Sequence, residues 1–214
     1  MSENSMLLKF LIVAFSVVLT CQASKVKEKV KEASLIPLFA DGGCNDFAKV
    51  VFDTGAEMHL GNILAFTSTL PVPTVTYDFK DKCETVAVIF FGVPTNFFDL
   101  DALLGGAFAH WEIVNIPSKV LKEGFNGQSG DELASYVPPI HPTNDHRYTF
   151  FVYCQKEYIN PKDQTHMDFL LSRTAFQVKD RAKELHLGEP VACNFANLGV
   201  VAGGPDLSNI ANRK

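Results

Sequence analysis

Apolar residues fall into short runs along this chain, and the length of these runs predicts β-strands. The clearest run is residues 84–91 (ETVAVIFF), where six apolar side chains follow one another without interruption. Such a run indicates a strand that is covered on both faces of its sheet. Two more runs, residues 110–117 and 146–153, are rich in β-branched and aromatic residues, and each begins with a histidine. Shorter extended segments are predicted at residues 47–52, 73–77 and 190–195.

The period of the apolar positions changes late in the chain. Between Asp168 and His186 they recur at helical spacing, and Gly188 fits a helix C-cap. A long loop is predicted through the glycines that follow the His110 strand, and a proline-rich loop spans residues 136–142. Many strands with one late helix predict a mainly-β fold.

The size and charge of the chain narrow its class. Its 214 residues, 47% of them hydrophobic, are enough for one full core, so a second domain is not required. The net charge is −5, and no Lys/Arg cluster falls on a predicted face. We therefore expect no nucleic-acid partner, because nucleic-acid binding depends on a basic surface.

The N-terminus has the pattern of a signal peptide. Lys9 precedes the apolar run 10–20, which is too short to span a bilayer, and small residues at Cys21 and Ala23 fit a cleavage site. We predict cleavage after Ala23; an uncleaved anchor or a buried helix are the alternatives. Residues 1–23 would then be the signal, and residues 24–214 a secreted, single-domain protein without a transmembrane span. Its core would cover about residues 35–200 of the sequence and its C-terminal tail would be loose.

Four cysteines remain after that cleavage. An even count in a secreted chain allows two disulfides with three connectivities, and buried free thiols are the alternative. No pair has C-x-x-C spacing, so we expect neither a metal site nor a cofactor. The cysteines are Cys44, Cys83, Cys154 and Cys193.

Catalytic motifs find little support in the sequence. There is no H-E-x-x-H, P-loop or G-x-G-x-x-G segment, and no nucleophile is positioned beside a base, so we expect a protein that is not an enzyme. His110 and His146 each begin a predicted core strand, and a proline-rich loop separates the two strands. This arrangement suggests a pocket at one sheet end. Imidazoles satisfied by backbone carbonyls at a sheet rim are the alternative.

Several of these segments, taken in order, resemble the phosphatidylethanolamine-binding protein family, also called Raf kinase inhibitor proteins. The resemblance extends from about His59 to Phe195. The most specific segments are similar to the family's H-W-x-x-x-N-I-P and H-R-Y-x-F motifs. The matching segments are residues 61–64 (GNIL), 73–75 (PTV), 109–117 (AHWEIVNIP), 136–139 (YVPP), 146–153 (HRYTFFVY) and 187–195 (LGEPVACNF).

The resemblance implies a β-sandwich with a large and a small antiparallel sheet and a C-terminal helix. It also implies an anion pocket for phosphate, acetate or phospholipid headgroups at a sheet end. His110 and His146 would be the pocket imidazoles, with Pro138 and Pro139 as one wall and Tyr148 as another. The family fold would also bring together the ends of the strands that carry Cys154 and Cys193, the disulfide that this resemblance favours.

The chain departs from the family at the D-P-D-A-P motif. Residues 92–96 (GVPTN) stand directly after the buried strand and hold no carboxylate, whereas Asp99 and Asp101 follow later and resemble the motif. Either the loop has slipped, which makes these two residues candidate ligands, or the pocket has lost its aspartates and they are ordinary loop acids. Two functions therefore compete. One is a secreted, non-enzymatic binder of a small anion or phospholipid headgroup. The other is a protein-interaction or inhibitor module, with a protease or receptor partner and a degenerate pocket.

Overall fold

A computed structural model describes residues 25–33, 44, 46–94, 107–139, 146–166, 173 and 178–199. The predicted signal peptide and C-terminal tail lie outside these ranges, and so do Asp99 and Asp101. In the part of the chain that is described, no helix has both the length and the apolar character needed to cross a membrane.

A six-stranded sheet forms the centre of the molecule. Its strands lie in the order β2-β8-β7-β4-β5-β6, and all neighbours are antiparallel except β2 and β8. A second, two-stranded sheet pairs β1 with β3. The strands are β1 Lys49–Val51, β2 Asn62–Ala65, β3 Thr74–Thr76, β4 Thr85–Pro94, β5 Phe108–Pro117, β6 Asp131–Ala134, β7 His146–Gln155 and β8 Ala192–Gly199.

Within the described ranges, α-helices lie at residues 25–32 (α1), Ser118–Glu123 (α2) and Val178–Glu184 (α3), and residues 164–166 are also helical. A short 3-10 helix follows β2 at Phe66–Thr69. The helix predicted between residues 168 and 186 is confirmed by α3. The long loop predicted after the His110 strand is shorter than expected, because α2 precedes Gly124 and β6 follows Gly130.

Both faces of the large sheet are covered, as the unbroken apolar run of β4 predicts. Because side chains alternate along a strand, Val88 and Phe90 face one side of the sheet and Ile89 and Phe91 face the other. The first side packs with Val50 and Val75 of the small sheet, and the second side packs with buried residues of α1 and α3. The predicted mainly-β sandwich with a large and a small sheet is therefore confirmed.

Two disulfides join strands of the large sheet to the segments that precede β1 and β4. Cys44 bonds to Cys193 and Cys83 bonds to Cys154, with Cα–Cα distances of 5.9 and 5.8 Å. The prediction of at least one disulfide is confirmed, but the favoured pairing of Cys154 with Cys193 is wrong. Cys193 lies opposite Phe151 of β7, three residues before Cys154. An odd offset of three residues places the two cysteines on opposite faces of the sheet.

Candidate functional site

A bulge in β5 sets the position of His110. Ala109 lies opposite Phe91 of β4, and Trp111 lies opposite Phe90, so His110 is the extra residue between two ladder pairs. Its side chain is carried within the aromatic core, and only 5% of the residue is exposed. The bulge therefore re-aims a histidine that an unbroken ladder would hold in register with β4.

His110 and Val137 hold each other by two hydrogen bonds. The Val137 amide donates to the His110 carbonyl at 2.8 Å, and the His110 Nδ1 lies 2.8 Å from the Val137 carbonyl oxygen. Because a carbonyl oxygen only accepts, Nδ1 must carry a proton. In a neutral ring Nε2 is then the acceptor, and it becomes a donor only when the ring is an imidazolium.

Aromatic rings surround the His110 imidazole. Its centroid lies 5.2 Å from Phe90, 4.8 Å from Phe108 and 5.4 Å from Tyr148. Tyr148 is only 1% exposed and lies opposite Gly92 of β4. Tyr136 stacks on Phe90 at 6.2 Å, and burial raises the pKa of its phenol. The His110 ring is thus enclosed by aromatic side chains, with few polar groups near it.

The other predicted pocket residues lie near this end of the sheet to the extent that the structure describes them. His146 begins β7 opposite Pro94, two residues before Tyr148, but its side chain lies outside the described part of the chain. Pro138 is half-buried and Pro139 is buried, and they follow directly after Val137. Contact between the two imidazoles remains a prediction, and so does any role for Asp99 and Asp101.

A buried ion pair lies on the opposite face of β5, and sequence reasoning did not find it. The Arg181 Nε donates to the Glu112 carboxylate at 3.1 and 3.3 Å, and its Nη1 contacts Glu184 at 3.0 Å. Burial raises the pKa of Glu112 to about 7, although the Arg181 charge opposes the rise. The only sequence signal was a glutamate inside the apolar β5 run. A buried glutamate needs a buried partner, but the sequence of the β5 run does not identify that partner.

Metal binding is not indicated by the described residues. Nowhere among them do three or more His, Cys, Asp or Glu side chains gather in an arrangement that could hold a metal ion.

Known proteins resemble this chain in sequence and in fold. Residues 94–196 match the family model described as phosphatidylethanolamine-binding protein. A 26 kDa secreted antigen of Toxocara canis is 28% identical over 166 residues, which are 76% of this chain and 60% of the antigen. The chain thus spans about 60% of that relative's length.

Two solved structures share the fold. The carboxypeptidase Y inhibitor, complexed with its cognate proteinase, has a TM-score of 0.60 at 17% identity, covering 84% of this chain and 97% of that chain. The phosphatidylethanolamine-binding protein from Plasmodium vivax has a TM-score of 0.59 at 18% identity, covering 80% of this chain and 96% of that chain.

The fold class of this protein follows from three observations: the sheet order, the histidine at the β5 bulge and these matches. The molecule is a two-sheet β-sandwich with the fold of the phosphatidylethanolamine-binding proteins. In sequence, the match to the phosphatidylethanolamine-binding protein family covers residues 94–196.

Proposed function

We propose that this protein is a secreted, non-enzymatic binder of a small anion of the phospholipid-headgroup type. The observation that carries the proposal is the placement of His110, which the Val137 carbonyl fixes against Tyr148 at one end of the large sheet. The match of residues 94–196 to the family model supports the same site, and His146 begins β7 at the same end. The ligand would be phosphate, phosphorylethanolamine or a phosphodiester headgroup.

The chemistry of such a site follows from the hydrogen bond at Nδ1. A neutral His110 has no proton on Nε2 to offer an anion, so anion binding at Nε2 requires the imidazolium form. A charge-assisted hydrogen bond contributes about 1.5–3 kcal/mol, and desolvation of the anion offsets part of it. Affinity for free phosphate is then on the order of millimolar.

Secretion is supported by three observations of different kinds. The N-terminal sequence has the pattern of a signal peptide, the two disulfides are typical of oxidising compartments, and the Toxocara canis relative is named a secreted antigen. Expression of the full chain in a secreting eukaryotic host tests this part. N-terminal sequencing of secreted protein should begin at Ser24, and retention of the intact chain inside the cell would contradict it.

The binding proposal is tested by calorimetric titration of the mature protein with phosphorylethanolamine. His110→Ala and His146→Ala should each weaken binding at least tenfold. His59→Ala is the matched control, because the His59 side chain is exposed and its ring meets the Phe47 ring edge-on, with 6.1 Å between the centroids. Equal binding by all four proteins would refute the headgroup pocket.

A protein-interaction or inhibitor module is the second candidate function. The neighbour that favours it is the carboxypeptidase Y inhibitor, which was solved with its cognate proteinase. The two candidates differ in what His110 does, because inhibition through a surface contact would survive His110→Ala, whereas headgroup binding would not. Inhibition assays against a panel of carboxypeptidases, run with the native protein and with His110→Ala, separate the two candidates.

A further inference from the structure

A second cleft lies at the other end of the large sheet, and it is built entirely from described residues. Its volume is about 520 Å³, and its lining comes from the start of β4, the end of β5, the turn at residues 129–130, the start of β6 at Asp131 and the loop at residues 156–158. Thr85 lines the cleft, whereas Gly92, opposite Tyr148, marks the His110 end of the same strand. Seven residues of strand separate the two sites by about 23 Å.

The floor of this cleft is fixed by Asn115. Its Nδ2 donates to Asp131 Oδ2 and to the Ile159 carbonyl, both at 2.7 Å. Its Oδ1 accepts from the Ile159 amide at 3.0 Å and from Gln155 Nε2. Asn115 also has φ of +58°, a conformation that asparagine tolerates better than most residues. Because every polar atom of this side chain is already hydrogen-bonded, Asn115 supports the structure of the cleft, and a ligand would bind to the neighbouring residues.

The walls are held as firmly as the floor. Gly130 turns with φ of +90° so close to β5 that a Cβ there would lie 2.6 Å from the Val114 carbonyl oxygen. On the other side, the Cys83–Cys154 disulfide joins the chain before β4 to the end of β7. A cleft pinned at both walls is preformed, which lowers the entropy lost when a ligand binds.

Several charged and polar groups that line the cleft are not used by the fold. Among the described residues, no hydrogen-bond or ion-pair partner is recorded for the side chains of Ser129, Lys156, Glu157 or Tyr158. Asp131 uses Oδ2 for Asn115, which leaves Oδ1 for a ligand. Tyr158 is 72% exposed, an unusual position for a tyrosine ring in a folded domain.

We propose that this cleft binds a small zwitterion that carries an ammonium and a carboxylate, as a free amino acid or a short peptide does. The carboxylates of Asp131 and Glu157 attract the ammonium, and the Tyr158 ring can add a cation–π contact. Lys156 attracts the carboxylate. A ligand with only one sign of charge would satisfy one set of groups and be repelled by the other, so the cleft discriminates by charge pattern.

Charge-blocked peptides test the proposal directly. The mature, isotope-labelled protein is titrated with triglycine, and its backbone amide shifts are followed by NMR. We expect saturable shifts at 129–131 and 156–158, and at least tenfold weaker binding of N-acetyltriglycine and of triglycine amide. Glycine, titrated in parallel, distinguishes a free amino acid from a peptide as the preferred source of the zwitterion.

Two substitutions assign the charges. Lys156→Gln should weaken triglycine binding at least fivefold and should not weaken the binding of triglycine amide. Asp131→Asn, which keeps an oxygen for Asn115, should weaken triglycine binding and should not weaken the binding of N-acetyltriglycine. Lys162→Gln is the matched control, because Lys162 is exposed and lies outside the cleft. Absence of saturable shifts, equal binding of the three peptides, or equal behaviour of the Lys156 and Lys162 variants would overturn the proposal.

This site stands apart from the proposed headgroup pocket. His110→Ala should leave triglycine binding unchanged, because about 23 Å of strand separates the two ends of the sheet. The two proposals can therefore fail independently of one another.

Discussion

Arg181 and Glu112 form a salt bridge inside the protein, with 3.1 Å between Nε and Oε1 and side-chain exposures of 1% and 0%. The pair connects α3 to the middle of β5, and Arg181 Nη1 extends the contact to Glu184 at 3.0 Å. Buried ion pairs add little net stability, but the loss of one partner leaves the other charge buried without compensation.

Arg181→Met is therefore expected to destabilise the protein by about 3–5 kcal/mol, because it leaves the Glu112 carboxylate in the core without its guanidinium. The double variant Glu112→Leu with Arg181→Met should recover most of that loss. Urea unfolding followed by fluorescence measures both effects. Lys183→Met is the matched control, because Lys183 is exposed on the same helix. An Arg181→Met protein as stable as this control would contradict the prediction.

The raised pKa of Glu112 makes stability depend on pH. Burial raises this pKa to about 7 in the folded state from its ordinary value of 4.5, so the folded state holds the proton more tightly than the unfolded state. This contribution is fully present below about pH 4.5 and is lost as pH rises through 7. At about 1.4 kcal/mol for each pKa unit, the loss is about 3–4 kcal/mol.

His166 makes the stability depend on pH in the opposite direction. Burial and the Arg181 charge lower the pKa of His166, so its contribution to stability is lost as pH falls through the histidine range.

Comparison of the native protein with the Glu112→Gln variant isolates the effect of the glutamate, since both proteins keep His166. The free energy of unfolding of the native protein should fall relative to that of the variant between pH 4.5 and 7. Parallel pH profiles would show that Glu112 does not titrate there.

The disulfides predict which cysteine peptides remain linked in non-reduced protein. Protease digestion and mass spectrometry should recover the Cys44–Cys193 and Cys83–Cys154 pairs, and unfolded, non-reduced protein should show no free thiol among these four residues. Replacing both Cys44 and Cys193 by alanine should cost up to about 5 kcal/mol, because the bond closes a loop of 149 residues. Recovery of a Cys154–Cys193 peptide would contradict this connectivity.

Gly130 offers a test of the β5–β6 packing. Gly130→Ala places a methyl group 2.6 Å from the Val114 carbonyl oxygen at φ of +90°, so strain adds to a steric clash. Gly55→Ala is the control, because Gly55 has φ of +83° but no heavy atom within 4 Å of the added Cβ. We expect about 1–2 kcal/mol of destabilisation at Gly55 from backbone strain alone, and clearly more at Gly130. Equal losses at the two positions would show that the clash is relieved.

Sequence patterns predicted the strands and the helix whose pattern of apolar residues lies within one short segment of the chain. The run at residues 84–91 identified β4 because an unbroken apolar strand must be covered on both faces, and the helical period identified α3. The strand β6 escaped notice because it has four residues, two of them acidic, and owes its strand state to pairing with β5.

Features that depend on register or on distant partners could not be predicted in this way. The true disulfides depend on which face each cysteine occupies once β7 and β8 are in register. The Arg181–Glu112 pair joins residues 69 positions apart, and the apolar β5 run names no partner for its glutamate. At the candidate pocket, the family motif identified His110, but the bulge and the Val137 bond that set its tautomer are visible only in the fold.

The hydrogen bond to Val137 predicts the tautomer of His110. Because Nδ1 donates to the Val137 carbonyl at 2.8 Å, the neutral ring should carry its proton on Nδ1, and two-bond ¹H–¹⁵N spectra of the ligand-free protein should show this form. The exposed His59 is the control and should show mixed tautomers. A His110 protonated only on Nε2 would contradict the assignment.

The same bond sets how pH should control headgroup binding. Only the imidazolium of His110 can donate from Nε2 while Nδ1 keeps its carbonyl partner, so affinity for inorganic phosphate or phosphorylethanolamine should fall as pH rises from 5 to 8. Phosphate gains charge over this range, which by itself would strengthen its attraction to a fixed positive charge. Sulfate, a dianion throughout, therefore serves as the control for ligand charge, and its affinity should fall as the His110 ring loses its proton. A pH-independent affinity for sulfate would show that His110 does not supply the charge that binds the anion.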